Sequence, residues 1–301
     1  MEGPPQRPSQ PRAAVPAGGV AGQGAEAPEG GRRDVHTITL VGGPTALIEA
    51  GGFRFLTDPT FDPPGDYALP HVTLRKTTGP ALSADRIGPV DAVLLSHDQH
   101  ADNLDHGGKA FLPQAGRVRT TVAGARRLGG DNVEGLEPRA TRRLAKADGR
   151  AVEVTATPAR HGPAGIEPLS GDVIGFVLSF ADPATRPVYV TGDTVWYDGV
   201  AEVARRFHPG VVVLFAGAAQ TRGPFHLTMD TNDAVEAAAT FADAVIVPVH
   251  TEGWAHFTQS AGDLAKAFGA LGFGGRLRLL EPGVQTVVEV TPAAQAPGTL
   301  P

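Results

Sequence analysis

Five apolar runs along this 301-residue chain each stop on a residue suited to binding a divalent metal, and that recurrence limits the folds open to it. Phe-Arg-Phe-Leu-Thr runs into Asp58 and Ala-Val-Leu-Leu-Ser into His97. Val-Glu-Val-Thr-Ala-Thr-Pro-Ala-Arg leads to His161, Val-Tyr-Val-Thr-Gly to Asp193, and Ala-Val-Ile-Val-Pro-Val to His250. A single strand-end His or Asp is usually a turn residue or a hydrogen-bonded surface group. Five of them are another matter, because strand ends in a layered sheet share an edge where residues distant in sequence converge. The chain has no cysteine, so a metal site must be built from His, Asp, Glu and Asn, the nitrogen and oxygen ligands that suit Zn²⁺, Mn²⁺ or Fe²⁺.

The surrounding pattern is α/β. His36 to Val41, Thr45 to Glu49 and Phe53 to Thr57 read as an antiparallel meander broken at Gly-Gly pairs. Further strands are expected at Ala92 to Leu95, Arg117 to Val122, Ala151 to Thr157, Val173 to Phe180, Pro187 to Val190, Val211 to Phe215, Ala244 to Val249, Arg276 to Leu280 and Val284 to Val290. Helices are expected at Gly124 to Leu128, Gly199 to Phe207, Thr231 to Phe241 and Ser260 to Leu271, the third opened by N-cap candidates from Asp230 to Asp233. Phe61 to Val90 is long, Pro-rich and poorly periodic, as an insertion covering the site or contacting a partner would be. Residues 1–33 and 292–301 lack periodicity and are expected to be flexible tails around one domain, 34–291.

Composition narrows the function. A formal charge of −6 and a pI near 5.9 offer no footprint for a phosphate backbone, so nucleic acid is not an expected partner. The longest apolar runs, such as Val211 to Ala219, fall far short of the roughly 20 residues of a membrane-spanning helix. The first 33 residues lack the apolar core of a secretory signal. A cytoplasmic protein with a small-molecule substrate is expected, and a homo-oligomer is compatible with the sequence.

Five motifs then appear in order: Val-Gly-Gly-Pro-Thr-Ala-Leu-Ile-Glu with Leu-Thr-Asp58-Pro; Ser96-His97-Asp98-Gln99-His100-Ala101-Asp102-Asn103-Leu104-Asp105; Arg160-His161-Gly162; Thr191-Gly192-Asp193-Thr194; and Pro248-Val249-His250. Together they resemble the metallo-β-lactamase superfamily over nearly all of His36 to Val290, the second being similar to its His-x-His-x-Asp-His loop. The opening pattern and Asp105 most resemble the branch containing L-ascorbate-6-phosphate lactonase and N-acylphosphatidylethanolamine phospholipase D. The resemblance implies a four-layer αββα sandwich of two similar halves, with metals at the edge between the sheets.

It also implies roles: His97, His100 and His161 on a first metal, Asp102 and His250 on a second, Asp193 bridging, and Asn103 completing or weakening the second site. One or two Zn²⁺ ions are expected, with Mn²⁺ or Fe²⁺ as alternatives. Bound metal would lower the pKa of water towards 7 and supply the hydroxide of a hydrolase that cleaves a phosphodiester, lactone or other ester. Asp102 would orient it and carry a proton, and Asp58 would support a ligand imidazole. Iron-dependent oxygen chemistry on the same fold, or a metal-stabilised binding protein, are the competing readings.

The loop departs from the pattern twice. One residue too many separates His97 from His100, so either His97 or Asp98 takes the first-ligand position; His97 is preferred because it directly follows the apolar strand and Ser96. The last His of the motif is Asn103, whose amide oxygen is a poorer ligand than imidazole. His106 could bend back to replace it, although an exposed residue after a turn is the plainer reading. His226, before the third expected helix, is a candidate for binding substrate or stabilising developing charge. Trp254, His256 and Phe257 could line a pocket, though packing is the commoner role of such a cluster.

Overall fold

The computed structural model describes residues 1, 3, 34–69 and 71–290, so the tails expected at 1–33 and 292–301 lie outside the described residues apart from Met1 and Gly3. β1 (Asp34–Gly42), β2 (Thr45–Ala50) and β3 (Phe53–Thr57) form the antiparallel meander read from the sequence. Gly51 and Gly52 make its second turn with φ of 55° and 79°, a left-handed pair that glycine adopts without steric cost. After a separate hairpin, β4 (Gly65–Ala68) and β5 (Thr73–Lys76), come α1 (Ala84–Ile87), β6 (Ala92–Leu94), α2 (His106–Phe111), β7 (Val118–Thr121), α3 (Val122–Leu128) and β8 (Val133–Leu136). The second half runs β9 (Thr141–Ala145), β10 (Ala151–Pro158), α4 (Glu167–Ser170), β11 (Ile174–Phe180), β12 (Val188–Val190), α5 (Asp198–Phe207), β13 (Val211–Phe215), α6 (Thr231–Thr240), β14 (Val245–Val249) and α7 (Ala261–Ala270). β15 (Gln285–Val290) then crosses back to pair with β1.

These strands make two sheets, ordered β15-β1-β2-β3-β6-β7-β8 and β14-β13-β12-β11-β10-β9. The period of two explains how they stack. On β13, Val211, Val213 and Phe215 enter a core shared with Ile38, Ile48 and Phe55 of the first sheet. Val212 and Leu214 point the other way, onto Val203 of α5, Ala237 of α6 and Phe268 of α7. On the outer face of the first sheet, Leu56, Val93 and Val118 pack with Ile87 of α1 and Phe111 of α2. A strand buried on both faces needs a continuous apolar run, which is what the sequence shows at β13 and β14. The architecture is the expected αββα sandwich.

Two segments differ from the sequence reading. Arg276 to Leu280 is not a strand. Arg276 donates to the carbonyls of Ala238 (2.7 Å), Phe241 (2.9 Å) and Ala244 (3.2 Å), so it closes the end of α6, and Leu277 makes only one isolated bridge, to Ile246. The insertion at Phe61 to Val90 contains the hairpin β4-β5 and α1. The hairpin is tied down at Trp254, where the Tyr67 ring packs at 5.3 Å and Lys76 makes an isolated bridge. Among the described residues no helix is long and apolar enough to cross a membrane.

Candidate metal centre

β10, β12 and β14 run in one direction through the second sheet, and β3 and β6 are parallel in the first. Asp58, His97, His161, Asp193 and His250 follow the ends of β3, β6, β10, β12 and β14 respectively. The structure gathers them, with His100 and Asp102, into two adjoining groups: His97, His100 and His161, and Asp102, Asp193 and His250. Within each group the potential ligand atoms all lie within 4.8 Å of one another. Asp193 joins the groups, its Oδ2 lying 3.7 Å from His161 Nε2 and its Oδ1 3.5 Å from His250 Nε2. His250 and Asp58 are held at positive φ, 61° and 26°, a strained backbone at two strand ends that deliver side chains to one place.

Neighbouring groups fix which imidazole nitrogens face inward. Ser96 Oγ donates to Asp58 Oδ2 at 2.7 Å, so it accepts the proton on His97 Nδ1 at 2.9 Å and leaves His97 Nε2 as a lone pair. His161 Nδ1 donates to the Leu227 carbonyl at 2.8 Å, which aims His161 Nε2 the same way. Both bare nitrogens converge on His100 Nδ1, at 2.8 and 3.2 Å. Burial first, and then the neighbouring imidazoles, hold His97 well below its ordinary pKa and His161 down at about 3, so both rings are neutral at pH 7.

In the second group two members lack internal partners. Neither oxygen of Asp193 nor either ring nitrogen of His250 has a hydrogen bond, although both side chains are buried. Buried polar atoms are normally satisfied, and a set of unsatisfied ones pointing at each other fits a cation. Burial pushes Asp193 up to about 6 and Asp58 up to about 7. Burial would also raise Asp102, but His256 and His250 outweigh it and hold that carboxyl well below the usual range.

The remaining candidates fall differently. Asp98 pairs with Arg127 at 2.5 Å and is in neither ligand group, so it is His97 that stands in the cluster. Asn103 donates from Nδ2 to Asp58 at 3.0 Å and keeps a buried, unpartnered Oδ1. His106 is 87% exposed and bonded to Asp62, so it does not replace the missing imidazole. His226 is not brought to the site. Its ring pairs with Asp230 at 3.0 Å, while the next residue, Leu227, supplies the carbonyl that orients His161.

One residue that sequence reasoning set aside as packing does reach the centre. His256 Nε2 lies 2.9 Å from Asp102 Oδ2, and His256 lines a cavity over the metal-ligand groups with His100, Asp102 and His161. The hairpin β4-β5 covers that cavity with Leu69, His71 and Val72 from its turn, so the insertion does overlie the site.

Residues 53–251 match the β-lactamase superfamily domain. The chain is 29% identical over 258 residues to the UPF0173 protein YddR of Bacillus subtilis, covering 82% of this chain and 97% of that one. It is 30% identical over 198 residues to a UPF0173 metal-dependent hydrolase of Herpetosiphon aurantiacus, covering 62% and 74%. Among solved structures, an isothiocyanate hydrolase from gut bacteria of Delia radicum superposes with a TM-score of 0.72 at 23% identity, over 84% of this chain and 100% of that one.

Proposed function

The chain belongs to the β-lactamase superfamily, and on that premise we propose that it is a metal-dependent hydrolase cleaving an ester-type bond, a phosphodiester, lactone or other ester, of a small molecule. The observation that carries the reading is the convergence of buried ligand atoms in two adjoining groups, with Asp193 within 3.7 Å of both. Likeness at 23% identity to an isothiocyanate hydrolase supports the fold alone, so its substrate is not carried over.

His97, His100 and His161 would hold one divalent ion and Asp102, Asp193 and His250 a second, with Asp193 shared. Nitrogen-rich ligation favours Zn²⁺ at the first position, and the carboxylates at the second also suit Mn²⁺ or Fe²⁺. Such ions, when bound, make water acidic enough to ionise near neutral pH and polarise the bond under attack. The protein does the rest. Ser96 and the Leu227 carbonyl lock two imidazole tautomers, and Asp58 holds Ser96 and Asn103 together. Asn103 offers only an amide oxygen in place of an imidazole, so the second ion should bind more weakly than the first. Asp102, kept ionised beside His256 and His250, would serve as a ligand and orient the attacking water.

The test compares protein as purified, after chelation, and after reloading with Zn²⁺, Mn²⁺ or Fe²⁺, assayed on bis(p-nitrophenyl) phosphate and a lactone with metal content measured each time. Turnover should vanish on chelation and return with metal. Equal rates in all three preparations, or no turnover of any ester by fully loaded protein, would remove the hydrolase reading.

His256 acts through Asp102 as a positioning residue, its Nε2–H donating to Oδ2. His256→Phe should weaken the second ion by about 10- to 100-fold, the usual effect of removing a group that orients a ligand, and His256→Gln should restore part of it. Metal titration followed by calorimetry reads this directly. Unchanged affinity in His256→Phe would show that the contact orients nothing.

A further inference from the structure

The cavity over the metal-ligand groups carries a cation that the ligand scheme leaves unused. Arg222 lines it together with His100, Asp102, His161 and His256. Its guanidinium makes one hydrogen bond, from Nη2 to the Leu169 carbonyl at 3.3 Å, and among the described residues no carboxylate pairs with it. Arg127, Arg139 and Arg142 in contrast are each paired with an acid. An unpaired, half-buried guanidinium facing a cavity is not a by-product of basic composition in a chain of net charge −6.

The rest of the lining defines what lies between that cation and the reacting bond. Leu69, Val72, Leu74, Ala219 and Leu227 present apolar surface, and among the described residues the only carboxylate in the lining is Asp102. A planar fork of N–H donors with free positions matches a carboxylate or phosphate group through two parallel hydrogen bonds.

We propose that this enzyme selects small substrates that carry a terminal oxyanion, which Arg222 holds while a short aliphatic body lies against Leu69, Leu74 and Leu227 and the ester reaches the metal centre. The oxyanion is a carboxylate or a phosphate, two groups with the same recognition chemistry. The inference rests on the hydrolase reading for the ester, but the anion site stands on Arg222 itself.

The experiment therefore separates binding from turnover. Metal-loaded wild type, Arg222→Ala and Arg222→Lys are titrated calorimetrically with glutarate, n-butyl phosphate and, as the neutral control, glutaramide. All three proteins are then assayed on mono-p-nitrophenyl glutarate and p-nitrophenyl butyrate, with metal content and melting temperature measured alongside. Arg222→Ala should weaken the better anion at least tenfold, Arg222→Lys should weaken it less, and neither should alter any affinity for glutaramide. The ratio of kcat/KM for the anionic over the neutral ester should fall at least tenfold in Arg222→Ala. Whichever of glutarate and n-butyl phosphate binds wild type more tightly identifies the oxyanion. If Arg222→Ala does not fold, the same comparison between wild type and Arg222→Gln decides. Equal anion affinity with and without the guanidinium would overturn the proposal, since the metals alone would then be capturing the anion. Arginine-dependent anion binding with no ester turned over would uphold the anion site while removing the hydrolase reading.

Discussion

Asp193→Asn is expected to lower turnover by on the order of a thousandfold or more, well beyond the 10- to 100-fold loss on removing a residue that only supports a ligand. Asp193 approaches both groups, 3.7 Å from His161 Nε2 and 3.5 Å from His250 Nε2, so the amide would remove charge from both proposed ion positions at once. The metal-free protein should respond differently. There the buried carboxylate has no hydrogen-bond donor, and burial pushes its pKa from 3.8 to about 6. The folded state then binds a proton more readily than the unfolded chain, so this group's contribution to stability is lost as pH rises from about 4 through about 6. Asp58, raised to about 7, adds a loss in the same direction. His161, lowered to about 3, works oppositely: stability is gained as pH rises from about 3 to 6.5, because the unfolded ring takes up the proton first. Because the Asp193 contribution is lost on approaching pH 6, chelated Asp193→Asn should lose less stability than chelated wild type between pH 5 and pH 8. Thermal melts at the two pH values, beside metal analysis of the loaded proteins, check both halves. Two tightly bound ions in Asp193→Asn would end the bridging assignment.

The strand-end pattern was readable because a sheet converts sequence position into location: a residue just after an apolar run must emerge at an edge. That logic carried Asp58, His97, His161, Asp193 and His250, and it failed where loops and long-range contacts do the placing. Asp98 and His97 are one residue apart after β6, and only the partner Arg127, on α3, separates them. His256 lies in an irregular loop whose sequence has no period, and its bond to Asp102 spans 154 positions. The one hint was the concentration of Trp254, His256 and Phe257, which fits packing equally well. The hairpin β4-β5 was hidden because its strands are four residues each and mostly exposed, so little apolar alternation marks them. Helix α2 contains two glycines in six residues, a poor intrinsic helix, and exists because Asp105 caps it and the chain packs over it. His226 attracted notice by its position before α6, but the i,i+4 geometry beside the helix start gave it to Asp230.

Asp105→Ala should be among the most destabilising single changes in the fold, at about 3–5 kcal/mol of unfolding free energy, the cost of stripping one partner from a buried ion pair. Asp105 is fully buried and accepts from four donors. Oδ1 takes the backbone N–H groups of Phe61 (2.8 Å) and Gly108 (2.7 Å); Oδ2 takes that of Asp62 (2.7 Å) and the ammonium of Lys76 (2.8 Å). Alanine would leave Lys76, itself only 4% exposed, as a buried charge without its carboxylate, and would uncap α2 in the same step. Lys76→Met should cost less, because the carboxylate keeps three N–H donors and the methionine chain fills the same space beside Trp254. In the Asp105→Ala, Lys76→Met pair no buried charge remains, so the loss should be smaller than the sum of the two single changes. The effect extends to function through β5, since Lys76 anchors the hairpin whose turn covers the metal cavity. Asp105→Ala measured below its melting temperature should therefore also raise KM, as Leu69 and Val72 lose their fixed position over the site. Urea denaturation of the four proteins gives the energies, and a loss below about 1 kcal/mol in Asp105→Ala would mean that solvent or a shifted side chain replaces the carboxylate, leaving the hairpin without this anchor.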